Sequence, residues 1–150
     1  MIRASGIRLN ALVNDILDAA AFKERKLVIK HEAVSLAATA ATVCDSLQML
    51  VGGGVVLQNL IEPGLPLVLG DAGRIVQILT NLVGNAIKFT HDGRIALSAR
   101  AIDDSFVEVD VADTGIGIPQ DKLEVIFQAF QQVDMSTTRK YGGTGLGLAL

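Results

Sequence analysis

The stretch Gln77-Ile78-Leu79-Thr80-Asn81-Leu82-Val83-Gly84-Asn85-Ala86-Ile87-Lys88-Phe89-Thr90 decides how the rest of the chain is read. Together with Ile75 it places Ile78, Leu79, Leu82, Val83, Ala86 and Ile87 at three- and four-residue spacing, the period of an amphipathic helix. Asp71, just upstream, is a plausible N-cap. Asn81 and Asn85 are four apart and share a helix face, and Lys88 falls near that same face. Two carboxamides and an ammonium in a line are expensive to bury without ligands. Either the face is solvated, or it holds a hard cation and phosphate: an Asn oxygen suits Mg²⁺ and a Lys neutralises phosphate.

Working outward, Arg94 to Ala101 and Phe106 to Ala112 read as strands joined at Asp103-Asp104-Ser105, a hairpin. Upstream, Leu27 to Leu36 reads as a strand, residues 37–50 as a helix broken by Gly52-Gly53-Gly54, and Val55 to Ile61 as a second strand. Pro63-Gly64-Leu65-Pro66 then turns the chain. Strands and helices mix without strict βαβ alternation. An α+β two-layer sandwich with a mixed sheet therefore fits better than a doubly wound sheet. Near the start, Leu9, Leu12, Val13, Ile16 and Leu17 form an apolar helical stripe. It either docks on its own domain or forms a seam with another chain. A short apolar helix is expected around Leu123–Phe130.

Two glycine clusters follow the hairpin. Asp113-Thr114-Gly115-Ile116-Gly117-Ile118-Pro119 leaves a strand, and Gly142-Gly143-Thr144-Gly145-Leu146-Gly147 runs into Leu148-Ala149-Leu150. Glycines let backbone amides approach an anion without Cβ clashes, although a lone cluster is more often a turn. Neither cluster ends in Gly-Lys-Ser/Thr, so there is no P-loop. The third glycine of a dinucleotide fingerprint is replaced by Gln120 in one cluster and Leu148 in the other.

Composition narrows the classes further. Half of the 150 residues are hydrophobic and only 19% are charged, which excludes a disordered chain. The net charge of −3 gives no basic balance for nucleic acid or anionic lipid. One cysteine, Cys44, excludes an internal disulfide framework and a multi-cysteine zinc site; on a helix it reads as a small core residue. No apolar run approaches the roughly 18 residues of a membrane span. The segment is expected to be soluble, without direct membrane contact, although a longer parent could be membrane-anchored.

Four boxes in order resemble the catalytic ATP-binding domain of sensor histidine kinases, within the group that includes gyrase, mismatch-repair and chaperone ATPases. Asn81 to Thr90 resembles the N box, and Asp113 to Pro119 the first glycine box. Phe127-Gln128-Ala129-Phe130 resembles the F box, and Gly143 to Leu148 the second glycine box. The run Ser136 to Ala149 looks especially like hybrid kinases, which carry a receiver domain. Residues 1–24 resemble part of the second helix of the dimerisation and histidine-phosphotransfer hairpin. Residues 25–150 resemble the ATP-binding domain, with its last helix and closing strands expected beyond Leu150.

The resemblance implies a Bergerat-type fold, ATP and Mg²⁺ as ligands, and roles for individual residues. Asn85 would coordinate Mg²⁺, Lys88 would touch the phosphates, and Phe89 would lie against the adenine or ribose. Asp113 would accept the adenine 6-amino hydrogen in a buried charge-assisted contact that selects adenine over guanine. Gly115 and Gly117 would let the chain pass close to the base, with Ile118 lining the pocket. Gly143, Thr144, Gly145, Leu146 and Gly147 would offer amides to the β- and γ-phosphates. Residues 131–142 would form the ATP lid, where Arg139 and Lys140 are either phosphate contacts or solvated charges. Phe127 and Phe130 would anchor the lid or pack in the core.

Asn81 also bears on mechanism, because the ATPase relatives carry Glu there to activate water. An amide is no general base, so hydrolysis should be poor, whereas a neutral imidazole acceptor needs mainly positioning and charge neutralisation. The γ-phosphate would pass to a histidine outside this chain and then to a receiver aspartate. His31-Glu32 is followed by Ala33-Val34-Ser35 rather than the family's Leu/Ile-Arg-Thr-Pro, and His91-Asp92 lies in a turn, so neither is expected to be the acceptor. Expected partners are ATP, the phosphotransfer helix, a homodimer partner and a receiver domain; the expected location is cytoplasmic. The competing readings are an ATPase of the chaperone or gyrase type and an idle nucleotide-binding or dimerisation module.

Overall fold

The computed structural model describes residues 28–124 and Ile126. The chain divides into two units, Ile29–Gly117 and a second made of Met1–Val28 with Ile118–Leu150. Among the described residues, the first unit carries all the regular elements except one short 3₁₀ turn.

Strand β1 (Glu32–Val34) is shorter than expected, because Ser35 stops it. The Ser35 hydroxyl accepts the amide of Ala38 at 3.3 Å and caps helix α1 (Leu36–Leu47), so Leu36 belongs to the helix. A 3₁₀ turn, Gln48–Leu50, ends this segment. Strand β2 (Val55–Asn59) also stops early: the Asn59 side chain accepts the amide of Ile61 at 3.1 Å and turns Ile61 into the interior. Strand β3 (Val68–Gly70) was not anticipated. It is three residues long and pairs antiparallel with β1, Ala33 opposite Leu69.

Helix α2 (Ala72–Phe89) starts where expected. The Asp71 carboxylate accepts the amide of Arg74 at 3.1 Å and, through its other oxygen, the amide of Lys30 at 3.1 Å. These backbone donors, Lys30 foremost, hold its carboxyl below the ordinary value. Strands β4 (Gly93–Ala101) and β5 (Val107–Asp113) form the expected hairpin. Asp103 closes it by accepting the amides of Ser105 and Phe106 at 2.7 and 2.9 Å.

Strand β4 is the centre of a three-stranded sheet ordered β2-β4-β5, parallel to β2 and antiparallel to β5. Both helices lay one face into a single core. Ala40, Val43, Cys44 and Leu47 of α1 meet Leu79 and Val83 of α2, Ile61 and Leu97. Partly buried Leu57, Ala99, Val109 and Val111 extend that core into the sheet. This is the mixed two-layer α/β arrangement read from the sequence. Burial pushes the Cys44 thiol up from its ordinary value, with Asp45 adding to the effect.

The described part of the second unit holds a 3₁₀ turn, Gln120–Lys122, and an Ile126-to-Lys122 backbone bond of 3.1 Å. Most of the helix expected around Leu123–Phe130 lies outside the described residues, as does the stripe of Leu9 to Leu17. Among the described residues, no helix is long and apolar enough to cross a membrane.

Candidate functional site

Helix α2 separates two faces. At about 100° per residue, buried Leu79, Val83 and Ala86 fall within an arc of about 60°. Ile78, Asn81, Asn85 and Lys88 fall in an arc of about 80° on the opposite side. Ile78 was expected in the core, but it is 50% exposed and belongs with the polar face. The apolar stripe in the sequence is simply wider than the strip the core covers. Asn81, Asn85, Lys88 and Phe89 are each half-buried. The carboxamides therefore stand on a partly accessible surface rather than in the core.

The helix ends at a junction with the turn after β5. Thr90 caps it, its amide donating to the Ala86 carbonyl at 3.0 Å. The carbonyl of Phe89 accepts the amide of Ile116 at 3.2 Å. Gly115 lies so close that a Cβ built on it would stand 2.5 Å from that same carbonyl oxygen. Only glycine permits this approach. Gly117 has φ of +69°.

Asp113 is the last residue of β5, and its Oδ1 accepts the Gly115 amide at 2.8 Å. The carboxylate is thus oriented by its own turn through Oδ1. Asp113 is exposed, so any burial of a contact there comes from what binds it. The Lys88 ammonium lies 4.8 Å from the centre of the Phe89 ring, a cation–π distance.

The structure therefore brings together Phe89, Asp113, Gly115 and Gly117 at the end of the helix whose outer face carries Asn81, Asn85 and Lys88. Ile118 belongs to the second unit and is half-exposed. Phe127, Phe130, Arg139, Lys140, Gly143, Thr144, Gly145, Leu146 and Gly147 lie outside the described residues. Among the described residues no group of three or more His, Cys, Asp or Glu gathers to hold a metal. An ion at Asn85 would have one neutral amide oxygen from that residue. His31 precedes β1 and His91 lies in the bend after α2, both exposed.

Sequence reasoning missed Thr114, whose hydroxyl accepts the Arg94 amide at 3.0 Å, and Gly93, with φ of +112°. The Asp92-Gly93 pair was a turn signal, but nothing in it pointed to Thr114.

The family model described as histidine kinase-, DNA gyrase B-, and HSP90-like ATPase matches residues 70–150, more than half of the chain. Hybrid signal transduction histidine kinase L of Dictyostelium discoideum is 39% identical over 156 residues, covering 100% of this chain and 9% of that protein. Signal transduction histidine-protein kinase BarA of Escherichia coli K12 is 41% identical over 155 residues, covering 99% of this chain and 17% of that protein. Among solved structures, full-length ShkA in complex with AMPPNP superposes with a TM-score of 0.83 at 37% identity, covering 98% of this chain and 30% of that one. The Acinetobacter baumannii histidine kinase AdeS gives 0.73 at 25% identity, covering 94% and 63%.

Proposed function

Because the chain belongs to the histidine kinase-, DNA gyrase B-, and HSP90-like ATPase family, we propose that it binds Mg-ATP at the end of α2 and serves as the ATP-binding domain of a hybrid histidine kinase. The observation that carries this reading is the junction of helix and glycine turn. The Phe89-to-Ile116 bond holds Asp113 and Gly115 beside the helix that carries Asn81, Asn85 and Lys88. ShkA, similar over 98% of this chain, was crystallised with an ATP analogue.

Each residue has a defined task. Asp113 accepts a hydrogen from the adenine amino group and orients the base. Gly115, Gly117 and Ile118 leave room beside it, and Phe89 offers an apolar ring. Lys88 exchanges the face of Phe89 for phosphate oxygens, a stronger charge-assisted partner. Asn85 would hold the metal through its side-chain amide oxygen, a neutral ligand that suits a hard cation. When bound, Mg²⁺ neutralises phosphate charge. Asn81 stands one turn further up the helix and, being an amide, cannot take a proton from water. By the family resemblance, Gly143, Thr144, Gly145, Leu146 and Gly147 would offer amides to the phosphates, and Arg139 and Lys140 are candidate phosphate contacts.

The γ-phosphate passes to a histidine on a phosphotransfer helix outside this chain, then to an aspartate of a receiver domain. The stripe of residues 9–17 would supply the homodimer contact. Incubation of the chain with γ-labelled ATP and a separate histidine-bearing phosphotransfer domain tests this reading. The reading requires acid-labile label on the added domain and none on this chain. Label on His31 or His91, or rapid phosphate release without transfer, contradicts it.

A further inference from the structure

We propose that Thr114 is a positioning residue for the nucleotide turn: its hydroxyl completes the β4–β5 ladder in place of a backbone carbonyl and so frees the chain to leave the sheet. The proposal rests on the reading that Asp113 contacts the base of ATP.

In an antiparallel pair, hydrogen-bonded opposite residues exchange two N–H···O bonds. Ile95 is paired with Asp113, which puts Arg94 opposite Thr114. The first bond of that pair is ordinary: the Thr114 amide donates to the Arg94 carbonyl at 3.1 Å. The return bond is different, since the Arg94 amide donates to Thr114 Oγ1 at 3.0 Å. The hydroxyl proton has the carbonyls of Asp92 and Arg94 in reach, both at 3.4 Å.

With its side chain standing in for its carbonyl, Thr114 need not continue as a strand. The backbone turns away within one residue, and two contacts follow. Gly115 passes over the Phe89 carbonyl, and Ile116 donates to it. Asp113, immediately before the anchor, is the last residue of β5, and the Gly115 amide orients its carboxylate. The anchor thus sets both the end of the strand and the direction of the acid.

The opposite side of the anchor is shaped for it. Gly93 adopts φ of +112°, and a Cβ placed there would collide with Thr114 Oγ1. Its amide is held by the Gly54 carbonyl at 2.9 Å, which fixes the start of β4 beside the start of β2. Hydroxyl and glycine therefore form one joint, twenty-one residues apart in sequence.

The test compares Thr114→Val, which keeps the branched shape but loses the hydroxyl, with Thr114→Ser, which keeps the hydroxyl. Affinities of the full chain for ATP and GTP with Mg²⁺ are measured by calorimetry, alongside the melting temperature. Loss of the anchor should weaken ATP binding about tenfold, the scale of one misaligned charge-assisted hydrogen bond, and shrink the preference for ATP over GTP. The Ser variant should retain both. A merely structural role would lower the melting temperature and leave the base preference alone. Thr114→Ala carries the same comparison should the Val variant fail to fold. A hydroxyl-free variant with wild-type affinity and preference overturns the proposal, as does a Ser variant that loses them. Failure of the unaltered folded chain to bind ATP overturns the functional reading itself, and shows before any variant is made.

Discussion

The carbonyl oxygen of Phe89, last residue of α2, accepts the backbone amide of Ile116 at 3.2 Å. Carbonyls at a helix C-terminus have no partner within the helix and must find one elsewhere. Here that partner is the glycine turn, so one unsatisfied group of the helix fixes the loop beside its polar face. Helix termination therefore helps to set where the turn lies.

Gly115→Ala tests that coupling. The added Cβ would stand 2.5 Å from the Phe89 carbonyl oxygen and 2.8 Å from Asp113 Oδ1, so the turn must move off the helix end. ATP affinity is expected to fall tenfold or more, roughly 1.4 kcal/mol, while circular dichroism retains the wild-type spectrum. An unchanged dissociation constant would show that the close approach is irrelevant to binding.

Thr90→Val should stabilise the fold. Thr90 is 3% exposed, and among the described residues its Oγ1 has no hydrogen-bond partner. An unsatisfied buried polar atom costs about 1–3 kcal/mol, and an isosteric methyl removes that cost. A rise in the denaturant midpoint is the expected outcome. A lower midpoint would mean the hydroxyl has a partner in solution.

Leu97→Ala addresses the core directly. Leu97 lies on the central strand, fully buried, in the cluster shared by both helices. Truncation of such a residue costs about 2–5 kcal/mol through lost burial and residual cavity. Urea unfolding should report a loss in that range, with ATP binding preserved where the variant remains folded. A loss below about 1 kcal/mol would contradict the placement of Leu97 at the centre of the core.

The carboxyl of Asp71 gives stability a defined pH dependence. Its folded-state value is lowered from 3.8, chiefly by the amides of Lys30 and Arg74. A depressed acid favours the fold when ionised, so its contribution is complete above 3.8 and is lost as pH falls through the lower folded value. Asp71→Asn, which still offers an oxygen to the helix amides, should flatten the fall in urea midpoint below about pH 4. A variant with the same acid slope as wild type would rule Asp71 out as a source.

Long-period features carried most of the fold in the sequence. Helix α2 has eighteen residues and an N-cap, and the hairpin has an Asp-rich turn between two apolar runs. Strand β3 had neither; it exists through its pairing with β1 across more than thirty residues. The ends of β1 and β2 were set by side chains, Ser35 and Asn59, that compete locally for backbone amides. In the site, the spacing of Asn81, Asn85 and Lys88 showed a face, and the same 100° count puts Ile78 on it, but an apolar side chain in an apolar stripe reads as core. Thr114 was invisible for a different reason: its part depends on register with Arg94, which no local pattern encodes.

The central claim is that the turn at Asp113 and the outer face of α2 form one ATP site. Calorimetric titration of the full chain with AMPPNP and Mg²⁺, for wild type and Asp113→Asn, tests it most directly. Saturable one-to-one binding by the wild type and at least tenfold weaker binding by the variant are expected, with equal melting temperatures without nucleotide. Wild-type affinity in Asp113→Asn, or no binding by the folded wild-type chain, would contradict it.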